Sequence, residues 1–260
     1  MHGAYRKSQT LIPRNRRSVM NFKSKKIIVI GGASGFGRAV ASKAAKLGAQ
    51  VMITSREQDK LTEAQRDFAS AGFHVAGCVV DAADISSITA FFDGIDPFDH
   101  LVSMAGGFMG GGFLSADYET IRRAIDEKLF ANLHLARHAA PKIAQGGSLV
   151  FTAGAGGRPD NASGAIVGND AIRLMVEGLA VELAPRARVN AVAPTWTETP
   201  LWKNMPASDV QATKERFSNT IPLKRTAEIE EVAQVYIFLM QCGFITGQTI
   251  TVDGGLTLVT

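Results

Sequence analysis

From Lys26 onward, short apolar runs alternate with stretches in which apolar residues recur every three or four positions. Ile27-Ile28-Val29-Ile30 is a continuous β-branched run, the pattern of a strand buried on both faces. Gly31 to Gly37 predicts a turn, and Arg38 to Leu47 a helix closed by Gly48. Val51-Met52-Ile53 predicts the next strand, followed by a helix from Glu57 to Ala71 that Gly72 ends. Further strands are expected at Val75–Val80 and His100–Met104, with a short helical segment at Ile85–Phe92 between them. Two helices are expected over Tyr118–Ala144, then a strand at Ser148–Thr152, a helix at Gly164–Ala184 and a strand at Arg188–Val192. In the Gly164 helix, Ile172, Val176, Leu179 and Leu183 form one apolar stripe. A loop-rich stretch from Pro194 to Arg225, a helix from Glu228 to Leu239 and a strand at Gln248–Val252 complete the pattern. Repeated strand–helix units with short turns imply one α/β domain, a parallel sheet with helices on both faces. Ligands on such sheets bind beyond the carboxyl ends of the strands, where the strand order reverses.

Composition narrows the class. The chain has 260 residues, 46% of them hydrophobic, which excludes a mostly disordered or collagen-like protein. The longest apolar stretch, Val232 to Ile245, is interrupted by Gln234 and Gln241 and is too short to span a bilayer, so no membrane partner is expected. Cys78 and Cys242 are the only cysteines and read as reduced thiols of a cytoplasmic protein. The net charge of +4 misleads, because residues 1–26 hold eight of the 28 Lys and Arg and no acid. The remainder carries 20 basic and 24 acidic residues, so no basic face for nucleic acid is expected. The arm lacks the apolar run of a secretory signal. Its Arg-rich, acid-free composition permits an organelle-targeting reading, but residues 1–24 are read as a disordered tail and 25–260 as the single domain.

The segment Gly31-Gly32-Ala33-Ser34-Gly35-Phe36-Gly37 directly follows the first buried strand and opens a helix. Glycines there let the backbone approach a pyrophosphate, and the helix start offers unpaired N–H groups and a positive dipole end. The contact residues expected are Gly31, Ala33, Ser34, Gly35, Phe36 and Gly37. At the end of the second strand, the ribose-reading position is Ser55, followed by Arg56. A hydroxyl and a guanidinium favour a 2′-phosphate, where a carboxylate would repel it, so NADP is expected over NAD.

These residues resemble the short-chain dehydrogenase/reductase family, over Lys25 to the C-terminus. Gly31, Gly35 and Gly37 match its T-G-x-x-x-G-x-G loop, with Ile30 for the threonine. The stretches Leu179-Ala180-Val181-Glu182-Leu183-Ala184, Arg188-Val189-Asn190-Ala191-Val192-Ala193-Pro194, Thr246-Gly247-Gln248 and Val252-Asp253-Gly254-Gly255 are similar to its later signatures. The resemblance implies a Rossmann-like, doubly wound parallel sheet of about seven strands. It also implies adenine reading at Asp81 with Ala82, and further cofactor contacts at Ala105, Gly106, Asn169, Pro194, Thr197 and Thr199. A homodimer or homotetramer packed through helices around Ala124–Ala144 and Gly164–Ala184 is implied as well.

The catalytic pattern departs from the family. Its Tyr-x-x-x-Lys pair falls on Ala165 and Asn169, and its substrate-orienting serine on Thr152-Ala153-Gly154, where Ala153 has no hydroxyl. Ser103-Met104-Ala105-Gly106 replaces N-N-A-G, Lys128 stands at a helix asparagine, and Thr195 replaces the glycine after Pro194. Tyr5, Tyr118 and Tyr236 supply no second copy of the pair, and Tyr118 with Arg122 reads as a surface pair. The candidate catalytic residues are therefore Lys128, as proton donor or water anchor with a pKa lowered by desolvation, and Thr152, whose hydroxyl would orient a carbonyl. The plainer readings are a structural cation and an ordinary strand-end residue. His134 and His138 share a helix face but have no third ligand in pattern, so packing is expected and no metal. Trp196, Trp202, Met205 and Phe217 beyond Pro194, and the Gly106–Gly112 loop, suggest an apolar or aromatic small-molecule substrate; packing within their own loop is the alternative. Three functions follow: an NADP-dependent oxidoreductase of a small apolar carbonyl or alcohol with a non-standard proton donor, a catalytically silent NADP-binding regulatory or partner protein, or a non-redox lyase or isomerase.

Overall fold

The β-branched run forms β1 (Lys26–Ile30), and its alternate residues serve two cores. Ile27 and Val29 pack with Val51, Ile53, Val102, Val150 and Val192 on one face of the sheet. Ile28 and Ile30 pack with Leu101, Leu149 and Phe151 on the other. The computed structural model describes residues 21–260; the tail and the targeting reading of residues 1–20 lie outside the described residues. The ordered domain starts before Lys25, because Phe22 is buried in the first core and its amide donates to the Leu47 carbonyl at 2.8 Å.

The remaining strands are β2 (Gln50–Ser55), β3 (Val75–Val79), β4 (Phe98–Ser103), β5 (Ile143–Thr152), β6 (Ala187–Pro194) and β7 (Thr249–Val252). All pairings are parallel, in the order β3-β2-β1-β4-β5-β6-β7. Helices α1 (Gly35–Lys46), α2 (Gln58–Ser70) and α8 (Ile229–Gln241) bury apolar residues in the Ile27 core. Helices α3 (Ile85–Asp93), α5 (Ala131–Ala139) and α6 (Ser163–Leu183) do so in the other. The α6 stripe is as its periodicity predicts: Ile172, Val176 and Leu183 are buried and Leu179 is half-buried. Each fully buried aliphatic contributes ~1.5–3 kcal/mol over its exposed state. The strand order reverses between β1 and β4, so the doubly wound expectation holds.

Three local expectations are corrected. The pair of helices expected over Tyr118–Ala144 is one helical run: α4 (Tyr118–Ile125), a π-helical turn at Asp126–Phe130, then α5. β5 begins at Ile143, ahead of the expected Ser148, because Phe98 pairs with Ile143 before the register shifts. The stretch expected as loop-rich holds α7 (Ala207–Thr220), which buries no residue and so lacks the apolar period that betrays a helix.

The late signature stretches are structural ties. Arg188 donates to the carbonyls of Leu239, Met240 and Ile245, holding the end of α8 against β6. The Asn190 amide donates to the Ile245 carbonyl and accepts from the Gln248 amide, which sets β7 beside β6. Asp253 accepts from the Gly255 and Thr257 amides and the Thr257 hydroxyl.

Candidate active site

At the carboxyl ends of the strands, on both sides of the reversal between β1 and β4, lies a cleft of about 760 Å³. The glycine loop forms one wall. Gly37 packs so closely on the Gly31 carbonyl that a Cβ would collide with it, which keeps the loop tight against β1. Ser34 caps α1 with no side-chain hydrogen bond, and the first turn of α1 has no acid. Its amides are therefore open to an anion. Next to it, Ser55 and Arg56 end β2 beside Asp81 and Ala82 at the end of β3. The Ser55 hydroxyl accepts from the Glu57 amide at 3.2 Å, while the Asp81 carboxylate accepts from the Ala83 amide at 3.0 Å.

The opposite wall carries a buried lysine. Lys128 sits in the π turn, and its stem crosses α6 at Gly168, where an added Cβ would lie 2.8 Å from the lysine Cβ. Its tip passes Gly106, where an added Cβ would lie 2.8 Å from Nζ. Nζ donates to the Ala105 carbonyl at 3.3 Å. Burial alone pulls its pKa down from 10.5 to about 8. Asn132, one turn on, locks this arrangement. Its amide donates to the carbonyls of Lys128 (2.6 Å) and Ala105 (3.3 Å) and accepts from the Ser103 hydroxyl at 2.6 Å. A π turn leaves a carbonyl without its ordinary helical partner, and here the asparagine side chain supplies one.

Thr152, at the end of β5, faces the cleft but directs its proton to the Ser103 carbonyl at 2.7 Å. The buried Tyr236 hydroxyl lies 2.8 Å from it on the side of α8, and burial raises the Tyr236 pKa. Over the cleft, Trp196 stacks between Trp202 (5.9 Å) and Phe217 (5.8 Å), and Phe108 of the glycine-rich loop meets Trp202 edge-on at 5.1 Å. These aromatics pack on one another and line the cleft.

Comparison with known proteins then decides the family. A family model described as enoyl-(acyl carrier protein) reductase, of the short-chain alcohol dehydrogenase type, matches residues 31–257. A tropinone reductase homologue of Datura stramonium is 33% identical, with 89% of this chain and 91% of the relative covered. A 2,3-dihydroxy-2,3-dihydro-p-cumate dehydrogenase of Pseudomonas putida is 30% identical, with 94% and 98% covered. A small-chain dehydrogenase solved in complex with NADPH is 28% identical, with a TM-score of 0.76 and 91% and 100% covered. The chain belongs to the short-chain dehydrogenase/reductase family.

Against the short-chain dehydrogenase/reductase pattern, the predicted positions gather in one place. Gly31, Ala33, Ser34, Gly35, Phe36, Gly37, Ala105, Gly106, Pro194, Thr197 and Thr199 line the cleft with Ser55, Arg56, Asp81 and Ala82, and so do Lys128, Thr152, Ala153, Ala165 and Asn169. Asn169 lies against Gly154, where an added Cβ would approach its amide nitrogen to 2.5 Å. The hydroxyl of Thr195, a residue 5% exposed on this cleft, has no hydrogen-bond partner among the described residues. Four charged lining residues were not among the sequence candidates: Glu57, Lys60, Glu127 and Lys203. Lys60 pairs with Glu57, and the charges of Lys60, Lys203 and Arg56 together hold the Glu57 carboxyl below its usual range. Lys60 has a sequence signal, in the first turn of α2 four residues after Arg56, whereas Lys203 reaches this cluster only through the chain's return over the cleft. His138 is engaged by Thr89 and by the His134 carbonyl, and packs on Phe92. Among the described residues, no three His, Cys, Asp or Glu are grouped to hold a metal ion, and no helix is long and apolar enough to cross a membrane.

Proposed function

We propose that this short-chain dehydrogenase/reductase is an NADP(H)-dependent oxidoreductase of a small apolar carbonyl or alcohol, with Lys128 supplying the proton directly or through a water it holds. The observation that carries the reading is the cleft itself: an uncapped helix start, a cation cluster and a buried lysine line one cavity. The residues present fit the dinucleotide. The α1 amides would take the diphosphate. Arg56, Lys60 and Lys203, three cations facing one carboxylate, would take the 2′-phosphate. Asn169 and the unpartnered Thr195 hydroxyl would bond the nicotinamide half. When bound, the cofactor supplies the hydride. The relative solved with NADPH supports this choice.

Lys128 enters from the helix opposite the one that carries the family's lysine, and Asn169 stands in that lysine's place. The ammonium would protonate the substrate oxygen, and the Trp196–Trp202–Phe217 stack with Phe108 would exclude water from an apolar substrate. Thr152, its proton committed to Ser103, is left to accept a hydrogen bond. We also propose a cytoplasmic homodimer or homotetramer. Fluorescence titration with NADPH and NADH tests the core of this reading. Saturable binding that favours NADPH is expected, and no binding of either would overturn it. A silent NADP-binding protein is the second reading, favoured by the methyl groups of Ala153 and Ala165 where the family carries hydroxyls. NADPH binding without turnover across a panel of apolar aldehydes and ketones would select it.

A further inference from the structure

The strand order determines which end of the cleft Lys128 can serve. The anion-binding helix start stands at β1, and the Ser55–Arg56 pair at β2. A dinucleotide with its diphosphate and adenosine on that side extends its other half over β4 and β5. Their ends carry Ala105, Gly106, Thr152 and, between Gly106 and Gly168, the Lys128 tip.

That tip has been brought in without a counterion. Among the described residues the Ala105 carbonyl is its one hydrogen-bond partner, and burial lowers its pKa. Charged groups on the packed elements are placed elsewhere. Glu127, next to it on the turn, also lines the cleft; its carboxylate lies beside Gly107, where an added Cβ would be 3.3 Å from Oε2, and it makes no ion pair with Lys128. On α6, Arg173 pairs with Asp170 at 3.4 Å and donates to the Gly154 carbonyl at 3.2 Å. The segment Ala105–Gly107 carries no titratable side chain, and Asn132 is neutral. The buried pocket around the lysine tip, at the opposite end of the cleft from Arg56, Lys60 and Lys203, strongly resists a second cation.

We propose that the nicotinamide end of this cleft, apart from the Arg56–Lys60–Lys203 cluster at its other end, holds one positive charge at a time: Lys128 carries it as an ammonium beside the reduced, neutral nicotinamide, and gives up its proton when the ring is oxidised and cationic. The inference rests on the NADP(H) reading above. In turnover, an N–H bond of Lys128 would break and an O–H bond would form on the substrate oxygen, with the bound cofactor supplying the hydride to the carbonyl carbon. The carbonyl becomes an alcohol, the ring takes the positive charge, and Lys128 is left as a neutral amine. The charge at this end of the cleft is the same before and after. The same linkage makes oxidised cofactor bind with loss of a proton and reduced cofactor without.

Both consequences are measurable without a substrate. Dissociation constants of NADP⁺ and NADPH, read from tryptophan fluorescence between pH 6 and 8.5, give a ratio in which titration of the shared 2′-phosphate cancels. In the wild type this ratio should fall about tenfold or more from pH 6 to pH 8 and then level, and in Lys128→Met it should be flat. Mixing NADP⁺ with weakly buffered protein at pH 7 should release up to about one proton per site, and NADPH none. The second assay needs no variant, so a misfolded Lys128→Met does not remove the test. A flat wild-type ratio, or a slope that survives in Lys128→Met, would sink the proposal while leaving the cofactor reading in place. Failure of both nucleotides to bind would sink the cofactor reading first.

Discussion

Arg56 stands exposed at the end of β2, with Lys60 one turn further and Lys203 arriving from beyond β6. Removing the guanidinium takes away the planar fork that matches a phosphate best. Arg56→Ala should therefore weaken NADPH by about tenfold or more and NADH by less than about twofold, as read from paired fluorescence titrations. Equal losses would dissociate Arg56 from the 2′-phosphate. On the far side of the site, the Tyr236 hydroxyl serves only Thr152. Tyr236→Phe should cost about 1 kcal/mol in chemical denaturation and leave NADPH affinity unchanged, the mark of a structural hydrogen bond rather than a proton source. The individual residues legible in the sequence were those adjacent to a pattern: Ser55 and Arg56 at a strand end, and Lys128 within a helix. Asn132 and Lys203 were not, because the Ser103 and Ala105 groups that Asn132 ties to the π turn lie 29 and 27 residues away, and Lys203 meets the Glu57 cluster across the cleft. No local spacing encodes such contacts.

Helix α6 has two obligations at Gly168, which must both continue the helix and leave room for the lysine stem. Gly168→Val places two methyl groups where the Lys128 Cβ and Cγ lie, so the lysine must leave its passage. A stability loss of about 1–3 kcal/mol is expected from overpacking, together with loss of any pH dependence in the NADP⁺ to NADPH affinity ratio. Wild-type behaviour in both would mean that the lysine takes another route. The same helix shows why some elements were readable and others were not. Its buried stripe repeats with the helical period, and β1 announces itself by a β-branched run. By contrast, α7 buries nothing, and the π turn leaves no trace in composition. It re-aims Lys128 only because α4 and α5 on either side of it are both held against neighbours.

Across the molecule, the two faces of the sheet bury different polar groups, and one makes the fold acid-sensitive. His100, 5% exposed on β4, bonds the Ser148 hydroxyl at 2.8 Å, and burial lowers its pKa from 6.5 to about 4. The unfolded chain binds this proton first as the pH falls. The penalty is therefore absent above about pH 6.5 and grows until the folded pKa is reached. Stability at pH 5 should be about 2 kcal/mol below that at pH 7, and His100→Gln should flatten this part of the curve. An acid limb unchanged in the variant would assign the sensitivity elsewhere. Light scattering tests the proposed assembly at this scale, with a homodimer or homotetramer expected and a monomer contradicting it.

The strand order also dictates a history. β1 to β4 come from one continuous stretch, Lys26 to Ser103, and each later strand joins the edge that its predecessor has just formed. During synthesis the sheet grows first from β1 to β3 and then from β4 along the opposite edge, so the half of the cleft that would grip adenosine can form, Lys203 apart, while the other half is still inside the ribosome. The lysine has its passage only once Gly168 has emerged, and Arg188 waits for Leu239, Met240 and Ile245 before the far edge can close. A nascent chain of this protein would thus acquire a nucleotide grip well before it acquires the means to act on anything.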